Sequence, residues 1–200
     1  MEPVFRTLEI VAAMIVRAAG TTITFEGLEN IPVRGGAVVA INHTSYADFL
    51  PAALGVRARK RRMRFMIKAE MQDVRIVNFL IRHTKTIPVN RTAGSQAYAE
   101  AVRLLSAGEL VGVYPEATIS RAFVLKDFKS GGARMALEAS VPIIPCIVWG
   151  AHRVWTKDHP KQLRRNKIPV TVRFGRPILP VGDAVELEAA LKRQMSAILN

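Results

Sequence analysis

His43 and Asp48 are residue types suited to proton transfer, and they lie five positions apart in the stretch Asn42-His43-Thr44-Ser45-Tyr46-Ala47-Asp48. On one continuous helix, positions i and i+5 point about 140° apart and cannot meet. A strand that ends at Asn42-His43, then a turn and a helix, lets the Asp48 carboxylate fold back to the imidazole. A carboxylate on one ring nitrogen fixes the tautomer and leaves the other nitrogen as a general base. That is the His–Asp half of a catalytic triad, and a substrate that brings its own hydroxyl removes the need for a serine. The same stretch also reads as a helix start. Ser45-x-x-Asp48 resembles a capping box with Asp in place of Glu or Gln, so that Asp48 would cap a helix. Spacing leaves both readings open.

A second group of candidate residues follows the apolar run 110–114. It begins Tyr114-Pro115-Glu116 and continues through Thr118, Ser120 and Arg121. Pro115 cannot donate to a central ladder, so it marks where a strand stops. Glu116 can accept a hydrogen bond from a substrate hydroxyl, and nearby backbone N–H groups can hold a developing oxyanion. A surface loop with a solvated glutamate fits the same pattern.

The elements that must position these residues alternate in type. Apolar or β-branched runs predict strands over 21–26, 37–41, 64–68, 85–89, 110–114, 143–149 and 170–174, and helical periodicity predicts helices over 3–19, 46–54, 73–82, 96–107, 130–139 and 183–199. Ser95 is the expected N-cap of the fourth helix, Gly108 its stop, and Asp183 the cap of the last. Strands alternating with helices predict a single α/β domain, with a largely parallel central sheet flanked by helices and an amphipathic helix at the N-terminus. Ligands of open α/β sheets gather beyond the carboxyl ends of the strands. Asn42-His43, Lys68, Asn90-Arg91 and Pro115-Glu116 all fall at such ends.

Composition narrows the partners. The chain has 200 residues and a formal net charge of +13, from 29 Lys+Arg against 16 Asp+Glu. So basic a surface favours polyanions: anionic lipid, phosphorylated substrates or nucleic acid. Residues 57–64, Arg-Ala-Arg-Lys-Arg-Arg-Met-Arg, hold six of the cations. They read as contacts to a membrane surface or to the phosphates of a coenzyme, as a solvated loop, or as a nucleic-acid patch. No recognition motif supports the last, and no nucleic-acid partner is expected. No stretch approaches the roughly 20 apolar residues of a membrane span, and Glu2 argues against a cleaved signal peptide. In the first helix Val4, Leu8, Val11 and Ile15 form one stripe and Arg6, Glu9, Ala13 and Arg17 another. Such a helix either packs on its own domain or lies in a membrane interface. Cys146 is the single cysteine, which excludes an internal disulfide. Its place in an apolar strand pattern predicts a structural role.

Four motifs in order make the chain resemble the glycerolipid acyltransferase family, whose best-known members acylate lysophosphatidate. Asn42-His43-x4-Asp48 matches the family's N-H-x4-D. Arg91 matches the arginine that closes the second motif, and Tyr114-Pro115-Glu116-Ala117-Thr118-Ile119-Ser120 matches [FY]-P-E-G-T-R-S. Val141-Pro142-Ile143-Ile144-Pro145 matches the fourth motif, and Phe128-Lys129-Ser130-Gly131 a further F-K-x-G. The resemblance implies that His43 is the general base and Asp48 its support. It implies that Glu116 positions the acceptor, and that Arg91 and Lys68 hold its phosphate, with Thr118, Arg121 and Lys129 as further substrate contacts. The product would be phosphatidate, formed from lysophosphatidate and an acyl thioester, either acyl-CoA or acyl-carrier protein. Glycerol 3-phosphate or another lysophospholipid is the alternative acceptor, and a catalytically silent basic binding domain the alternative of a different class. No cofactor or metal is implied. Residues 1–20 would be the membrane-associating helix and 21–200 the acyltransferase domain, bound peripherally to the cytoplasmic face of an anionic membrane. Two positions depart from the pattern. Ala117 stands where the family has glycine, so a left-handed backbone there would be strained. Ile119 stands where an arginine is expected, which passes the phosphate to Arg121, or to Arg91 and Lys68.

Overall fold

The computed structural model describes residues 3–90, 94–122, 124–162, 165 and 167–199. Seven strands form one sheet: β1 (Thr22–Glu26), β2 (Ala37–Ile41), β3 (Met63–Lys68), β4 (Ile87–Val89), β5 (Leu110–Val113), β6 (Ile143–Trp149) and β7 (Pro169–Phe174). Their order is β1-β7-β6-β2-β5-β3-β4. Every neighbouring pair runs parallel except β6 with β7. The helices are α1 (Pro3–Ala18), α2 (Phe49–Ala58), α3 (Arg75–Thr84), α4 (Ser95–Ser106), α5 (Gly131–Glu138) and α6 (Ala184–Leu199).

Both faces of the sheet are covered, which is why β2 reads Ala-Val-Val-Ala-Ile without alternation and is buried throughout. Val38, Ala40, Val111 and Ile143 pack against α4, α5 and α6. Val39, Ile41, Ile144 and Phe174 pack against Ala52 and Val56 of α2 on the other face. Gly55 permits that approach, since a Cβ there would lie 2.7 Å from the Phe174 ring. Helix α1 lies outside this layer, against α2 and α3. None of its residues is fully buried.

Local chemistry explains where boundaries fall. Asp183 caps α6 as expected: its Oδ1 accepts the N–H groups of Val185 and Glu186, and Glu186 accepts the Asp183 N–H in return. Gly108 follows α4 with a left-handed φ of 85°. The α4 cap corrects the sequence reading. Gly94 occupies the N-cap and Ser95 is already helical, with no side-chain cap. Strand β4 starts at Ile87 instead of residue 85, because Lys85 turns left-handed (φ 54°) to end α3.

Five parallel strands, β2 to β6, point their carboxyl ends to one edge. The connection leaving β2 leads toward β3, and that leaving β5 passes to β6 on the other side of β2. Such a reversal opens a crevice between the two strand ends. His43 follows β2 and Glu116 follows β5.

Candidate active site

Three backbone devices hold His43 in place. Asn42 ends β2 by imitating a peptide: its side-chain amide donates to the Val148 carbonyl (3.1 Å) and accepts the Val148 N–H (2.7 Å). The His43 N–H donates to Glu116 Oε1 (2.8 Å), and the His43 carbonyl accepts the Ser120 N–H (2.7 Å). Both peptide groups of His43 are thus tied to the loop after β5. The Tyr114 ring lies flat against the imidazole, 4.2 Å between centroids.

Asp48 meets the imidazole from the other side, with Oδ2 3.3 Å from His43 Nδ1. The same oxygen accepts the N–H groups of Thr44 (2.8 Å) and Ser45 (2.7 Å). Asp48 occupies the N-cap of α2 without a side-chain cap bond. The capping reading is therefore corrected: the carboxylate points back into the turn, and the helix starts at Phe49, three residues later than its periodicity suggests. Ser45 does not cap it either. Its Oγ accepts the Ala47 N–H and donates to the Trp155 carbonyl. Asp48 is fully buried, and its Oδ1 accepts no hydrogen bond among the described residues. Burial pushes the Asp48 carboxyl pKa up, against the opposing pull of His43 and the two backbone donors. An imidazole that donates from Nδ1 to this carboxylate presents Nε2 as an acceptor, on a side chain 19% exposed.

Glu116 is a brace. Its two oxygens accept the N–H groups of His43 and Lys126, at 2.8 and 3.1 Å. Burial raises its pKa, and these two donors oppose the shift. Lys126, which nothing in the sequence singled out, also donates through Nζ to the Thr118 hydroxyl and the Ile119 carbonyl. Tyr114 and Asn42 were visible only as motif letters, and their stacking and peptide-mimic roles needed the fold. Ala117 takes the left-handed backbone, φ 57°. Ile119 is buried.

The remaining candidates divide. Lys129 is exposed, and its N–H is anchored on the Pro115 carbonyl (2.9 Å). Lys68 is exposed at the carboxyl end of β3, paired in register with Val89. Arg121 forms an exposed ion pair with Asp158 (2.7 Å). Arg91 lies outside the described residues. Cys146 is buried in β6, and desolvation raises its thiol pKa far from a thiolate. The cationic run 57–64 sits at the opposite edge of the sheet, and part of it is structural. Arg61 donates to the carbonyls of Pro32, Gly35 and Gly108. Arg64 is buried and pairs with Glu109.

An apolar cavity of about 480 Å³ is lined by neither His43 nor Asp48 but reaches Phe49, the residue after Asp48. Phe49 and Ile67 of β3 line it at the edge that carries His43. Met63, Arg61, Arg62 and Glu9 line it toward the far edge. Its walls are α1, α2 and α3 over β3.

The acyltransferase family profile matches residues 22–149, which include both loops of this site. The chain belongs to the acyltransferase family. This acyltransferase-family chain is 28% identical over 176 residues to the 1-acyl-sn-glycerol-3-phosphate acyltransferase of Limnanthes douglasii, covering 84% of the chain and 59% of that relative. It is 27% identical over 123 residues to the enzyme of the same name from Bacillus subtilis, covering 61% and 60%. The chain thus spans about three fifths of the length of these two relatives. Its fold is that of the 1-acyl-sn-glycerophosphate (LPA) acyltransferase PlsC from Thermotoga maritima, with a TM-score of 0.74 at 24% identity over 94% of this chain and 78% of that one. No described helix of this acyltransferase-family chain is long and apolar enough to cross a membrane.

Proposed function

We propose that the chain transfers a fatty acyl group from an acyl thioester to the free hydroxyl of lysophosphatidate, giving phosphatidate. The observation that carries this reading is the His43–Asp48 contact, with an apolar cavity of about 480 Å³ that reaches Phe49 at the start of α2. An apolar pocket with a few convergent polar groups is what an amphiphilic substrate requires.

His43 Nε2 takes the proton of the acceptor hydroxyl as its oxygen attacks the thioester carbonyl. The C–O bond forms, the C–S bond breaks, and the imidazolium returns its proton to the departing thiolate. Asp48 stabilises the imidazolium and holds the ring. The cavity takes an acyl chain along α1, α2 and α3. Lys68 and Lys129, with Arg91, supply cations for the acceptor phosphate, and Thr118 a hydroxyl. Glu116 positions the acceptor indirectly, by fixing the His43 peptide. Arg121 contributes less, being paired with Asp158. The donor is acyl-CoA or acyl-carrier protein, and the enzyme works peripherally at the cytoplasmic face of an anionic membrane.

The test is transfer of labelled acyl groups from each donor to lysophosphatidate and to glycerol 3-phosphate. Transfer to lysophosphatidate is expected, with His43→Ala lowering kcat by about 10³-fold or more. Undiminished transfer by His43→Ala overturns the mechanism, and preference for glycerol 3-phosphate overturns the acceptor.

A further inference from the structure

The cationic run 57–64 wraps around a pocket. Helix α2 ends at Ala58, and Lys60 turns left-handed (φ 57°) while its N–H closes on the Arg57 carbonyl (2.8 Å). That turn sets Arg57, on the last turn of α2, beside the residues that lead into β3. Arg57, Lys60, Arg61, Arg62 and Arg64 line a common pocket of about 530 Å³. Ligand pockets run from about 300 to 1,000 Å³. The pocket lies where β3 and β5 begin, since Met63 and Leu110 are paired in register and residues 60–62 and Glu109 precede them. It is therefore at the edge of the sheet opposite His43 and apart from the site described above.

Two carboxylates face these five cations, Glu9 of α1 and Glu109, which leaves a formal excess of three positive charges among the described lining residues. The cations are not equally committed. Arg61 donates to three backbone carbonyls. Arg64 holds both oxygens of Glu109 at 3.0 Å, and Lys85 meets the same carboxylate at 2.9 Å. These residues form the frame. The exposed Arg57 and Lys60 and the half-buried Arg62 complete the wall. Glu9 meets Arg57 at 3.9 Å and Arg62 at 3.5 Å. Both distances exceed the roughly 2.7–2.9 Å of a charge-assisted hydrogen bond. A concave surface of one sign focuses its field and concentrates anions, and guanidinium forks match phosphate oxygens. One phosphate group carries about −1.5 to −2, so an excess of three suits two or more phosphates in a chain. Glu9, Arg61 and Arg62 also line the far end of the apolar cavity.

We propose that this pocket binds a soluble chain of linked phosphates, inorganic or carried by a nucleotide, and that the ligand competes with Glu9 for Arg57 and Arg62. Its binding is thereby linked to the far wall of the cavity. The phosphate affinity does not depend on the acyl-transfer reading. Calorimetric titration of the full chain with inorganic tripolyphosphate tests it. Binding is expected, tighter than that of inorganic phosphate, and Arg57→Gln/Lys60→Gln weakens it about tenfold or more through two lost charged donors. Glu9→Gln tightens it about threefold, because the competing carboxylate is gone. A glutamate that only held α1 in place would give no gain. The control Arg176→Gln/Arg193→Gln removes the same charge from two exposed residues that do not line the pocket, and leaves the affinity within about twofold. Should the double variant fail to fold, Lys60→Gln alone gives the same readout at smaller amplitude. Unchanged affinity in Arg57→Gln/Lys60→Gln overturns the site, and equal weakening by the control reduces it to the general attraction of a basic protein. Failure of Glu9→Gln to tighten binding overturns the competition. Displacement of tripolyphosphate by ATP assigns the phosphate chain to a nucleotide and its absence to an inorganic chain, and either upholds the site.

Discussion

At the scale of single residues, Asp48 holds the most tension. It is fully buried with one oxygen unpartnered among the described residues, and burial raises its pKa above that of the unfolded chain. As pH climbs through the ordinary carboxyl range the unfolded chain loses this proton first. The folded protein then binds more protons than the unfolded one, so the Asp48 contribution to stability declines with rising pH. Asp48→Asn removes that pH-dependent loss. Its Tm relative to wild type is therefore expected to climb from about pH 4 to about pH 7. The same variant offers the imidazole an amide in place of a carboxylate and is expected to lower kcat by about 10²- to 10⁴-fold. A flat difference in Tm across the range counts against the raised pKa. Full activity counts against the proton-transfer role.

At the scale of elements, the loop after β5 carries backbone strain. Ala117 adopts φ 57° while its N–H closes a turn on the Tyr114 carbonyl (3.0 Å). The left-handed region costs a non-glycine residue about 1–2 kcal/mol, and glycine returns part of that as unfolded-state entropy. Ala117→Gly is expected to stabilise the protein by about 1 kcal/mol, read as a higher urea midpoint at unchanged m-value. An unmoved midpoint would mean that the loop relaxes the strain elsewhere. The loop was legible in the sequence as Tyr114-Pro115-Glu116, since proline and the end of an apolar run are local signals. What Glu116 does was not legible. A glutamate beyond a strand can solvate itself, meet a substrate or cap peptides, and only the approach of β2 beside β5 supplied the N–H group of His43. The start of α2 was misread for a similar reason. Ser45 and Asp48 have the spacing of a capping box, but the Trp155 carbonyl, distant in sequence, claims the serine, and the His43 ring with the N–H groups of Thr44 and Ser45 claims the carboxylate.

At the scale of the whole molecule, α1 packs on its own domain yet keeps part of its apolar surface exposed. Phe5, Leu8 and Ala12 wall the cavity, while Ile10 and Met14 stay exposed. Because no α1 residue is fully buried, removing residues 1–19 is expected to leave the α/β core folded. The cavity then loses a wall along much of its length. The ratio of kcat/KM for a long-chain over a short-chain acyl donor is expected to fall by about tenfold, as apolar contacts along the chain are lost. An unchanged ratio would place the acyl chain elsewhere. The run 57–64 shows the opposite correction. Six cations in eight positions look like one surface patch, yet Arg61 donates to three carbonyls and the buried Arg64 pairs with Glu109.

The sequence by itself determined the alternation of strands and helices, the strand ends that carry polar residues, and the His–Asp spacing, because periodicity, proline and capping chemistry act over a few residues. Tertiary structure alone decided that β5 lies beside β2 and delivers Glu116 to the His43 peptide, and that Tyr114 stacks on the imidazole. It also decided that α1, α2 and α3 enclose an apolar cavity. Each of these depends on groups far apart in the chain, whose meeting is set by strand order and by which faces the helices cover, and no local pattern encodes that.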